Sequence, residues 1–209
     1  MPEGIEYSYA RPFIRSGDLA LVRAQEGQQT LIGRIGRSFY RHAMTCAWRI
    51  DDQDTLLVPE SREGRGGQIP TLSSQVRRFP RLIDIYTPSD DCPETLRRRA
   101  ATIAINWSGH GYNYPGIAKN LIAHYVTLQK LAEALGYELD LDNISPSEWA
   151  APKFCSQFHV WAYRWAKLEL LTREKWNWDP VWGLNEEFCQ PADLARSGSY
   201  RLKFRGLVI

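Results

Sequence analysis

The chain reads as an α+β domain, and three observations predict it. Residues up to about 87 are short strand-like runs separated by turns. From Pro93 the apolar spacing becomes helical, and an alternating segment at 200–204 closes the chain. Strands first, helices next and a strand at the end fit one antiparallel sheet with helices packed against one face. The 209 residues fit a single domain, 1–209, with one core of ordinary size and an insertion at 137–152.

The elements follow in order. Ser16-Gly17-Asp18 is a turn, and the apolar run 19–22 a strand. Residues 30–35 form a second short strand, interrupted by Gly33. Over 42–50, Met44, Cys46, Trp48 and Ile50 share one face, the period-two pattern of a half-buried strand. A polar turn at 51–54 leads to a returning strand at 55–58. Residues 64–67 form a Gly/Arg-rich loop, 72–79 a short helix and 82–86 another strand. Leu96, Ala100, Ile103 and Trp107 stripe a helix over 93–107. After a Gly/Tyr/Pro-rich break comes a helix over 117–135, which Gly136 ends as a C′ residue. Pro152 precedes a helix running to about 171, with Phe154, Phe158, Trp161, Trp165 and Leu168 on its apolar stripe.

Charge and cysteine usage narrow the function. Lys+Arg number 26 and Asp+Glu 24, a net +2 that gives no footprint for nucleic acid. No run approaches the ~20 apolar residues of a membrane span, and the N-terminus lacks the basic and apolar regions of a signal peptide. The expected location is cytoplasmic, with delivery to a cell wall by lysis or specialised secretion. Cys46, Cys92, Cys155 and Cys189 are too widely spaced for a disulfide framework or a zinc site, so neither metal nor cofactor is expected.

One constellation carries chemistry. Cys155 stands at a predicted helix start, where free N–H groups and the helix dipole favour thiolate and can serve an oxyanion. His42 has the parity of Met44, Cys46 and Trp48. If 51–53 is a three-residue hairpin loop, Trp48 opposes Leu56, Met44 opposes Glu60, and Glu60 becomes the diagonal neighbour of His42. A turn shifted by one residue brings Glu63 forward instead. A base and its orienter facing a thiol at a helix start is the logic of thiol catalysis. Alone, each residue also has a bland reading: a packed cysteine, or a satisfied histidine at a strand edge.

These residues resemble the circularly permuted branch of the NlpC-type papain-like hydrolases, the group that includes YiiX-like proteins. The matching segments are Ser16-Gly17-Asp18-Leu19, Arg41-His42-Ala43-Met44, Pro59-Glu60-Ser61, Gly111-Tyr112-Asn113-Tyr114 and Phe154-Cys155-Ser156-Gln157-Phe158, with a weaker one at Pro191-Ala192-Asp193-Leu194. The ordered set, spanning about 16–204, carries the resemblance. It implies a permuted papain-like fold, an antiparallel sheet or barrel packed against helices. Cys155 is then the nucleophile, His42 the base and Glu60 its orienter. Tyr112, with Tyr114 as alternative, falls near the oxyanion, and Ser156 is grouped with them as a substrate contact. The connection at 137–152 separates the Tyr segment from the Cys farther than the family pattern does.

Other residues read more blandly. His159, one turn after Cys155, lacks an approach from across a cleft. His110 reads as loop-exposed and His124 as a packing or surface residue. Arg97-Arg98-Arg99 is a solvated face, and Gly64-Arg65-Gly66-Gly67 lacks the spacing of a phosphate loop. The Trp176–Trp182 loop reads equally as a substrate wall and as an anchor. The implied activity is a cysteine amidase or endopeptidase acting on a peptidoglycan peptide through an acyl-enzyme. The alternatives are a lipid esterase or acyltransferase on the same triad, and a non-catalytic binding module.

Overall fold

The computed structural model describes residues 4–25, 39–49, 55–115, 117, 146–170 and 177–209. The strand expected at 30–35, the helix beyond 117, His124, residues 137–145 of the connection, the 51–53 turn and Trp176 lie outside them.

In chain order the elements are β1 (Ile5–Glu6), α1 (Tyr7–Ala10), β2 (Leu19–Arg23), β3 (Tyr40–Thr45), β4 (Ala47–Trp48), β5 (Leu56–Leu57), β6 (Glu60–Arg62) and β7 (Gly66–Gln68). Then follow α2 (Leu72–Arg78), β8 (Ile83–Pro88), α3 (Glu94–Asn106), α4 (Cys155–Leu170), α5 (Pro191–Arg196), β9 (Tyr200–Phe204) and β10 (Leu207–Val208). The main sheet has the order β3-β2-β8-β9, antiparallel throughout. It stays open: among the described residues no pairing joins β3 to β9, so the barrel alternative is not realised.

Both faces of the sheet are covered, where one was expected. Leu19, Leu21, Ala43 and Tyr86 pack against Leu96, Ile103 and Trp107 of the α3 region and Phe158 and Trp161 of α4. Ala20, Val22, Met44, Ile83 and Ile85 bury the other face against Ala10, Ile14, Leu72, Val76, Leu56 and Val58. The sign was in β2 itself, which runs Leu-Ala-Leu-Val without alternation, as a strand buried on both sides does.

The strand expected over 42–50 breaks at Cys46. There the backbone turns aside to the 17–18 turn: Cys46 N–H donates to Asp18 O, and Gly17 N–H donates to Cys46 O. Gly17 has φ +84°, and a Cβ would lie 2.6 Å from the Tyr163 hydroxyl, so only glycine fits. Beyond the break Trp48 opposes Leu56 and Ala47 opposes Leu57, the register read from the sequence. Glu60 does not continue that ladder; β6 pairs with β7 in its own hairpin, Glu60 opposite Gln68. That hairpin accounts for the Gly/Arg-rich loop.

The arginine run does not form one solvated face. Arg97 is buried and bonds Asp18 at 2.6 Å, while Arg98 and Arg99 reach Glu94 and Glu169 at the surface.

Candidate active site

The site forms where the start of α4 meets the open edge of β3. In β3, residues 43 and 45 turn their N–H groups away from β2. Thr45 N–H finds Pro59 O, and the Ala43 N–H lies near enough to the Cys155 sulfur to lower its pKa. Nearby, β2 and β3 slip register: Val22 opposes His42 but Arg23 opposes Tyr40, which leaves Arg41 as the extra residue of a bulge. Bulges at sheet edges re-aim side chains. Here His42 points at Cys155 and Glu60 although its parity is that of Met44, which packs on the opposite core.

The three side chains connect in series. His42 Nε2 and Glu60 Oε2 are 2.5 Å apart, with Glu60 almost fully buried and His42 17% exposed. That leaves Nδ1 for the hydrogen bond between the ring and the Cys155 thiol. Burial pulls the His42 pKa down, but the Glu60 charge and the bonds to Cys155 and Glu60 outweigh it and push it up to about 10. Burial raises the Cys155 thiol, but His42 and the N–H groups of Ala43 and Ser156 bring it below its ordinary value. The Glu60 carboxyl is also held down: His42 overrides the effect of burial. Both shifts run toward a thiolate beside an imidazolium. Glu63, the alternative orienter, is exposed in the β6–β7 turn.

Side chains bonding to backbone hold the start of α4. Ser61 donates to Lys153 O at 2.5 Å, Ser156 donates to Cys189 O at 2.6 Å, and Gln157 Oε1 accepts from Phe154 N–H at 3.3 Å. Ser156 is not free to contact a substrate through its hydroxyl. Its hydroxyl is fully buried and committed to Cys189, and what it offers the sulfur is its N–H. Gln157 also accepts from Asn113 at 3.1 Å, which fixes the tyrosine segment to the nucleophile helix. Tyr112 feels the Cys155 charge, and burial first, then Cys155, keeps its phenol protonated. Tyr114 turns outward, 52% exposed, and accepts from Gly64 N–H at 2.9 Å.

Before the helix, the buried Lys153 donates to the carbonyls of Glu148, Trp149 and Ala151 and lies 4.1 Å from the Trp161 ring centroid. Burial lowers its pKa to about 8. Sequence reasoning assigns no role to Gln157, Ser61 or Lys153. Only Gln157 carried a signal, a Gln three residues after the cap position that can bond back to it.

Remaining residues fall into place as structure. His159 bonds Thr45 and Tyr200, each at 2.8 Å, and burial takes its pKa to about 3, so it is neutral and occupied. His110 is not a free loop residue: it stacks on Trp107 at 5.0 Å and bonds the Trp107 carbonyl. Cys46, Cys92 and Cys189 are buried free thiols, and burial raises all three pKa values, Cys92 to about 12. Trp178 is an anchor, buried and bonded to Ser89, while Trp182 is 53% exposed.

A narrow cavity opens at Cys155, lined by Arg41, Ile117, Phe154, Ser156, Cys189, Gln190 and Pro191. Among the described residues no three His, Cys, Asp or Glu side chains gather so as to hold a metal ion. Cys155, His42 and Glu60 engage across one ring instead of converging on a point.

No family model matches the sequence, and no curated protein matches it. Among solved structures it is similar to the metalloprotein YiiX from Escherichia coli O157:H7, DUF1105, with TM-score 0.55 and 12% identity over 91% of this chain and 97% of that one. The chain has a YiiX-like fold.

Proposed function

We propose that the protein is a cysteine hydrolase that cleaves an amide through an acyl-enzyme, and that the fold belongs to the permuted papain-like, NlpC-type group. The observation that carries this reading is the series Cys155–His42–Glu60, with the thiol pKa lowered and the imidazole pKa raised. The Cys155 thiolate attacks the carbonyl carbon, and an N–H at the start of α4 and the Tyr112 hydroxyl receive the developing oxyanion. His42 gives its proton to the leaving amine, then takes one from the water that hydrolyses the thioester. Glu60 holds the ring in place and stabilises its positive form. The metal named for YiiX has no matching donor set among the described residues, and no step uses one.

A cavity holding an arginine and no tryptophan favours a substrate with a carboxylate, as a peptidoglycan peptide has. The apolar lining of Ile117, Phe154 and Pro191 supports a second reading, a lipid acyl ester cleaved by the same residues. The test is iodoacetamide labelling of all four cysteines, followed by digestion of peptidoglycan fragments with product masses measured. Cys155 should label at least tenfold faster than Cys46, Cys92 and Cys189, and His42→Ala should slow it. Equal labelling of the four sinks the proposal.

A further inference from the structure

We propose that the substrate carries an anionic group, a carboxylate or a phosphate, that docks on Arg41, Arg62 and Arg78 at the rim of the site. This rests on the reading of Cys155 as nucleophile and names what its substrate must present.

Arg41, the extra residue of the β3 bulge, lines the cavity together with Cys155. Its guanidinium lies 4.8 Å from the centre of the Phe79 ring, and that of Arg78 lies 5.1 Å from the same centre. One phenyl ring thus gathers two like charges, each attracted by the ring's π-system. Arg62 comes from β6, with Nη1 3.9 Å from Glu60 Oε1. Glu60 is already engaged by His42, and among the described residues its Oε1 has no hydrogen-bond partner. Among the described residues neither Arg41 nor Arg78 has a carboxylate within 4.0 Å.

The repulsion shows in the side chains themselves. Burial lowers the Arg41 pKa and Arg78 lowers it further. Burial lowers that of Arg62, against Glu60, and Arg78, Arg65 and Arg41 add to the effect. In a chain of net charge +2 this concentration is local. Like charges held together cost stability unless an anion joins them. Planar guanidiniums suit the paired oxygens of a carboxylate or phosphate. Arg41, which shares the cavity with Cys155, brings the anion toward the bond to be cut.

The experiment compares two alkylating agents of similar size, iodoacetate and iodoacetamide, each of which transfers its carbon to sulfur with loss of iodide. At Cys155 the iodoacetate/iodoacetamide rate ratio should exceed that of glutathione by about tenfold. Arg41→Gln, and independently the surface variant Arg78→Gln, should lower it by threefold or more, with Arg41→Lys retaining most of it. The ratio cancels any change in thiolate fraction. Acetate and inorganic phosphate as competitors identify the anion, by which one suppresses the excess at the lower concentration. A ratio untouched by both Gln variants overturns the subsite while leaving the nucleophile standing. Failure of iodoacetamide to favour Cys155 overturns the nucleophile and the subsite together.

Discussion

At the scale of single residues, the proposed proton relay sets sharp expectations. Glu60 is the main influence raising the His42 pKa. Glu60→Gln removes that charge but keeps an acceptor, so the alkaline limb of a rate profile, set by loss of the His42 proton near 10, should move down by one unit or more. A pH series of amide hydrolysis rates, in which the leaving amine takes the His42 proton, reads this directly, and an unmoved limb would show that Glu60 does not tune the ring. On the proposed mechanism, Tyr112→Phe removes one oxyanion donor without touching the thiol. Hydrolysis should fall roughly 10- to 100-fold in kcat while alkylation of Cys155 stays unchanged.

Between elements, what matters is how the α4 start is held. Arg164 in α4 is buried and grips Asp179 with two bonds, at 3.0 and 2.9 Å, and also bonds the carbonyls of Val181 and Leu184. The same segment leads to Cys189, whose carbonyl takes the Ser156 hydroxyl. Asp179→Ala should therefore destabilise the fold by about 3–5 kcal/mol, because it leaves a buried guanidinium unpaired. Urea unfolding measures that. Ser156→Ala is a milder cut of the same tie, expected at about 1–2 kcal/mol.

How much was legible also belongs to this scale. Cys155 could be placed at a helix start because helical spacing is visible in Phe154, Phe158 and Trp161. The Trp48–Leu56 register could be read because alternation on two strands fixes their faces. The bulge at Arg41 could not: a one-residue slip follows from the twist and partners of β2, and no residue type announces it. The break at Cys46 was hidden for the same reason, since the apolar alternation runs straight through it. Arg97 looked solvated because only the fold brings Asp18 beside it.

Over the whole molecule, protonation links the site to stability. The His42 pKa rises on folding, so its contribution is full below 6.5 and is lost as pH climbs towards 10. The Cys155 pKa falls on folding, so its contribution is full above 9.0 and is lost as pH drops. Between the ordinary values of 6.5 and 9.0 the His42 and Cys155 slopes oppose each other. Below 6.5 the unfolded chain gains a proton on each of His42 and His159, while the folded chain keeps His159 neutral down to about 3. Stability measured by urea unfolding should fall in acid from its value near neutrality. His159→Gln should make that acid decline shallower, whatever it does to the stability at neutral pH.

The sulfur on the edge of β3 has one more consequence, for anyone wanting an inert form of the protein. The backbone N–H groups of Ala43 and Ser156 sit beside it and hold its pKa down. Alanine at 155 deletes the acceptor and strands both donors in a site where residue 155 is only 4% accessible, at about 1–3 kcal/mol for each. Serine leaves an oxygen to receive them. A Cys155→Ser protein should melt several degrees above Cys155→Ala, and it is the better bait for trapping an uncleaved substrate.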